Sequence, residues 1–171
     1  MHIKSAVALV AALAFAIGVV TLASADTNGS SDDNGGKVFK VFEHEDQTDS
    51  VDVGRSGPSL GDEFVFSSVI LRREGGAQIG TDGGVCTFVR FEQSNGTATA
   101  HCVATVSLEG GQITLQGLST FSLTATTNPP FDVAITGGTG AYAGAGGHVH
   151  IEEVSESDSI LTFHLQRGED D

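Results

Sequence analysis

The stretch Ile135-Thr-Gly-Gly-Thr-Gly-Ala-Tyr-Ala-Gly-Ala-Gly-Gly-His-Val149 constrains the fold more than any other part of the chain. A β-forming run stops at Gly137, Gly138, Gly140, Gly144, Gly146 and Gly147, and a second begins at once with His148. A glycine-rich turn after a strand can cradle a phosphate, but a dinucleotide fingerprint needs its glycines to open a helix inside a βαβ unit. Here Gly138, Gly140 and Gly144 are spaced G-x-G-x-x-x-G, and Gly146 and Gly147 would break any helix started there. His148-Val-His-Ile-Glu-Glu then alternates with period two. The stretch reads as a tight corner between antiparallel strands, with room for one short helical turn.

The same alternation runs through the rest of the chain. β-forming segments cover residues 37–45, 62–71, 85–91, 97–108, 112–123, 131–136, 148–154 and 160–166, and none is a convincing helix. Turn signals such as Asn95-Gly96, Gly110-Gly111 and Pro129-Pro130 separate several of them. Eight short antiparallel strands predict an all-β fold, and the pattern alone admits a closed barrel or a two-layer sandwich. Closure removes exposed sheet edges, and an eight-stranded barrel is just wide enough for one small ligand. The closed barrel is therefore the expected architecture.

The first residues read as a targeting segment. Lys4 precedes the nearly uniformly apolar Ser5–Leu22, and Ala23-Ser24-Ala25 forms an A-x-A cleavage site ahead of Asp26. Export with removal of a signal peptide at 1–25 is expected in preference to a retained membrane anchor. Residues 26–36 lack apolar side chains and are expected to form a disordered linker, residues 37–167 the barrel, and 168–171 an acidic tail. The formal net charge is −14. Such a polyanion disfavours nucleic acid and anionic lipid as partners.

The two cysteines, Cys86 and Cys102, both lie in the exported part, so an oxidising compartment predicts a disulfide between them. Asn95-Gly96 places them on adjacent strands of one hairpin. Their distances from the turn differ by about two positions, which calls for a bulge or a longer turn. Without a C-x-x-C spacing they are poor metal ligands.

Several blocks resemble allene oxide cyclases. Ser59-Leu-Gly-Asp-Glu-Phe-Val-Phe-Ser-Ser68 is similar to the second strand of that family, Gly84-Val-Cys86 to the third and Gly111-Gln-Ile-Thr-Leu-Gln-Gly117 to the fifth. Ala134-Ile-Thr-Gly-Gly-Thr-Gly-Ala-Tyr-Ala-Gly144 resembles the sixth strand and its corner, and Val41-Phe-Glu43 fits the first. The blocks follow family order over residues 37–167. The resemblance implies an eight-stranded antiparallel barrel, often trimeric, with an apolar cavity; a homotrimer or a homodimer is the expected assembly. Relatives include dirigent proteins and bacterial polyketide cyclases, which hold a reactive hydrophobic molecule in one conformation while it couples or cyclises.

Alternation puts Phe39, Val41, Glu43 and Glu45 on one face of the first strand and Lys40 and His44 on the other, wetter face. Glu43 thus stands as a carboxylate at the end of an apolar row. The matching glutamate of the cyclases stabilises positive charge, so Glu43 is the candidate catalytic residue. The resemblance makes Phe64, Phe66 and Ser68 cavity walls beside Phe39, Val41 and Glu45, and makes Cys86 a cavity-lining residue. Glu45 and Ser68 stand where the family has asparagines, and the family's nearby proline is missing from residues 46–53. These departures point away from allene oxide itself as substrate. Two inward glutamates would repel, raising the pKa of one or turning it to solvent.

His148 and His150 form an H-x-H pair, but Val149 and Ile151 are the natural inward residues, so both histidines are expected outside and no metal site follows. Tyr142 is expected to pack against the barrel end. No cofactor is implied. The expected function is that of a secreted cyclase- or isomerase-like barrel confining a hydrophobic small molecule, with a non-enzymatic dirigent-like or ligand-binding barrel as the alternative.

Overall fold

Strands with one apolar face must pool those faces, and here they do so by closing on themselves. The computed structural model describes residues 36–54, 56–92 and 94–167. The expected signal peptide, the linker apart from Gly36, and the acidic tail lie outside the described residues. The strands are β1 (Lys37–Val51), β2 (Glu63–Leu71), β3 (Gln78–Glu92), β4 (Thr97–Leu108), β5 (Gly111–Ser122), β6 (Phe131–Gly138), β7 (Ala145–Glu153) and β8 (Asp158–Arg167). They form one closed barrel in sequence order, every neighbour antiparallel, with β8 pairing back to β1. The sandwich is excluded.

The interior is filled at one end only. Val41, Ile70, Val106, Ile113, Val149, Leu161 and Phe163 make a buried cluster at that end, where Phe39 stacks on Phe163 with ring centroids 4.7 Å apart. The glycine-rich corner caps it. Gly140–Tyr142 forms a single 3-10 turn, Tyr142 packs on the core cluster, and Ala141 N–H donates to the Gly110 carbonyl at 2.8 Å. Gly140 has φ +61°, and a Cβ there would collide with the Gly110 carbonyl oxygen. Only glycine lets the corner lie this close to the β4–β5 turn.

The hairpin of β3 and β4 carries the expected irregularity. Phe88 faces Ala100 but Arg90 faces Thr99, so Val89 is the extra residue of a bulge, and it restores the register that sets Cys86 opposite Cys102. The two form a disulfide. Two strands run furthest beyond their apolar pattern. β1 continues to Val51 through a register shift between Glu45 and Gln47, and β3 begins at Gln78 rather than Val85.

Removing the disulfide with Cys86→Ser and Cys102→Ser should lower unfolding free energy by about 3 kcal/mol, from the loop it closes. Urea denaturation checks this: an unchanged midpoint would mean the barrel alone fixes the hairpin.

Candidate active site

At the end opposite the corner the barrel holds a cavity of about 460 Å³. Its walls include Phe64, Phe66, Phe88, Phe121 and Phe131, with Ala100, Ala104 and the Cys86–Cys102 bridge between them. The small residues leave the space. Behind this wall Gly84 makes room for the Phe66 ring: a Cβ there would stand 2.6 Å from the Val103 carbonyl oxygen and 2.8 Å from that ring. The segment between β5 and β6 adds Ala125, Thr126 and Asn128 to the rim. Asn128 ties it to β7, donating its backbone N–H to Glu153 Oε2 at 2.7 Å and its amide to the same oxygen at 3.1 Å. On the far rim Asp158 pairs with His44 Nδ1 at 2.8 Å and accepts the Ser155 hydroxyl at 2.7 Å.

Where the cavity meets the filled core, three polar side chains from β1, β2 and β3 converge. Glu45 is in register with Ser68, and Ser68 with Asp82. Glu43 lies one inward position below Glu45, and the Ser68 hydroxyl donates to its Oε1 at 3.2 Å. Ser68 is 2% exposed and Asp82 8%. Glu43 keeps its remaining exposure to the cavity it lines. Burial, and after it the charge of Asp82, pushes the Glu43 carboxyl up to about 9. Burial raises Asp82 as well, against the lowering contacts of Glu43 and Ser68. Two carboxyls this close in a poorly hydrated wall cannot both ionise, so near neutrality the pair shares one proton and one negative charge.

Glu43, Glu45, Phe64 and Phe66 all line the cavity. Ser68 sits beneath its floor as a hydrogen-bond donor to Glu43 rather than as a wall. Phe39 and Val41 do not reach the cavity: they share the face of Glu43, but their positions nearer the corner put them in the filled core. Glu45 is raised by partial burial and then by the charge of Asp82. The expected repulsion between inward acids is thus real, with Asp82 as the main partner. His148 and His150 face outward, His148 stacked on His164 and His150 bonded to Asp132 at 2.7 Å.

Asp82 is the residue that sequence reasoning missed. It lies between Gly80 and the pair Gly83-Gly84, which resembles a turn and hides the first half of β3. Counting back in twos from inward Cys86 through Gly84 would have placed it inside. Phe88, Phe121 and Phe131 needed the barrel order before they could be assigned to one wall.

A protein built on this barrel and this cavity falls into a recognisable class. The chain belongs to the allene oxide cyclase barrel-like domain family, whose model matches residues 40–165. Among solved structures it is similar to a pyocyanin demethylase, with 31% identity, a TM-score of 0.64, and coverage of 75% of this chain and 99% of that one. It is also similar in fold to a pterocarpan synthase dirigent protein (15% identity, TM-score 0.56, covering 80% of this chain and 88% of that one). A Diels–Alderase from Streptomyces koyangensis shares the fold at 14% identity and a TM-score of 0.57, covering 80% and 72% of the two chains. Comparison with curated proteins gives no match.

The raised Glu43 has a direct consequence for stability. Between 4.5, its ordinary value, and about 9 the folded chain holds a proton that the unfolded chain has released, so stability falls as pH rises through that window. Glu43→Gln keeps the neutral form at every pH. Thermal melts should show the variant losing less stability than the parent between about pH 5 and about pH 8, by at least about 4 °C in Tm. Parallel curves would mean that Glu43 titrates like an exposed glutamate.

Proposed function

We propose that this protein is a cyclase- or isomerase-like barrel that confines a hydrophobic small molecule in its cavity and directs its rearrangement. The observation that carries the reading is the Glu43–Asp82 carboxyl pair at the floor of a phenylalanine-walled cavity. An apolar wall binds a ring or chain without directing chemistry. A buried acid–carboxylate pair adds a proton donor and a fixed negative charge where water is scarce and electrostatic stabilisation is strong. Protonated Glu43 can give its proton to an oxygen or nitrogen of the bound molecule. The pair then carries a second negative charge facing the cation so formed. This modifies the role expected from the sequence: the charge belongs to the pair, and Glu43 enters as the acid.

The demethylase relative at 31% identity supports an enzymatic role for a barrel of this kind. The cyclase and dirigent structures support a scaffold suited to holding one conformer. The disulfide accords with an oxidising compartment and supports export.

The test has two arms. Nile red, a neutral apolar dye, should bind saturably at one per barrel, and Phe66→Ala should weaken it by about tenfold. On a substrate found through such binding, Glu43→Gln should lower kcat by about a hundredfold and change KM little. If Glu43→Gln leaves turnover intact, the acid role is wrong. Saturable binding with no turnover of any bound candidate would leave a non-enzymatic binding barrel instead.

A further inference from the structure

The described cavity lining carries six carboxyl groups, from Glu43, Glu45, Asp82, Glu153, Glu156 and Asp158, and no lysine, arginine or histidine. Two of the rim carboxylates have partners: Asp158 takes His44 and Ser155, and Glu153 takes Asn128. The floor does not. Asp82 Oδ1 is buried without a hydrogen-bond donor, and Ser68 supplies the one hydroxyl that reaches Glu43. A buried charge is normally matched by a counter-charge, because removing it from water costs several kcal/mol. Lys40, the nearest cation in sequence, lies on the outer face of β1 and is exposed.

The walls point the same way by a separate route. The Phe64 and Phe66 ring centroids stand 5.9 Å apart with planes inclined by 24°, and Phe121 meets Phe131 edge to face at 6.0 Å. Aromatic faces carry negative quadrupole density and attract a cation, most strongly where it is desolvated. A guest packed against the faces of these rings meets negative potential from the floor and the walls together. A volume of about 460 Å³ accommodates a molecule of about three fused rings.

We infer that the cavity selects a planar aromatic cation, a fused-ring system with a positively charged ring nitrogen, over neutral and anionic ring systems of the same size. The guest's nitrogen supplies the counter-charge missing at Asp82, and its rings fill the space between the phenylalanines. An aromatic carboxylate or a fatty acid is disfavoured by the floor, the walls and the net charge of −14. This inference rests on the cavity being a ligand site, and it names the chemical class of that ligand.

Three tricyclic probes of similar size separate the possibilities by calorimetric titration of the intact protein at neutral pH. They are N-methylacridinium (positive), N-methylacridone (neutral, with no basic nitrogen) and anthracene-9-carboxylate (negative). N-methylacridinium should bind roughly 30-fold tighter than N-methylacridone, and anthracene-9-carboxylate weakest. The preference should persist at about 0.5 M salt, where attraction to the acidic outer surface is screened. Asp82→Asn should bring the affinity of N-methylacridinium down to that of N-methylacridone. N-methylacridone binding as tightly as the cation, or a preference abolished by salt, overturns the cation selectivity and leaves the hydrophobic cavity standing. Binding of none of the three overturns both.

Discussion

Alternation in a closed sheet forces every second residue of eight strands into one shared interior, and all else in this molecule follows from how that interior is shared. Branched and aromatic side chains fill the end sealed by the glycine-rich corner. At the other end alanine, glycine and the disulfide leave a hollow. The boundary between the two is where a polar side chain can be largely buried and still face a guest. Glu43, Ser68 and Asp82 occupy that boundary.

This placement explains why the acids tolerate burial. Asp82 is held by the β3 backbone, which the neighbouring strands fix on both sides, and Glu43 is fixed by its register with β2 and β8. Neither residue can turn to the outer face of the barrel without breaking strand pairing. The cost is limited because one proton serves both carboxyls and the Ser68 hydroxyl serves Glu43. The site therefore stores unfavourable electrostatics that a suitable guest can relieve, and the stability of the rest of the barrel sustains it.

Much of the fold could be read from the sequence because its signals were local. Asn95-Gly96 fixed the β3–β4 hairpin, and the two-position mismatch around it anticipated the bulge at Val89. The corner at Gly137–Gly147 was recognised as a turn because glycines that cannot open a helix leave few alternatives. Other features were silent. The polar run Asp46–Ser50 shows no alternation, yet it extends β1 because β2 residues Phe64–Ser67 offer backbone partners beyond the shift. The carboxyl pair depends on residues far apart in sequence that meet only through two successive strand registers. Glu43 was identified from its face and its family match, while its partner stayed hidden among glycines.

The central claim is that Glu43 keeps its proton at neutral pH because burial in the barrel wall, and after it the charge of Asp82, disfavours its ionised form. The direct measurement is a carbon-13 NMR titration of the Glu43 side-chain carboxyl, assigned by comparison with Glu43→Gln. A midpoint near 9, with the same transition felt by Asp82, is the predicted result. A midpoint at the ordinary 4.5, with the Asp82 signal unaffected, would contradict it.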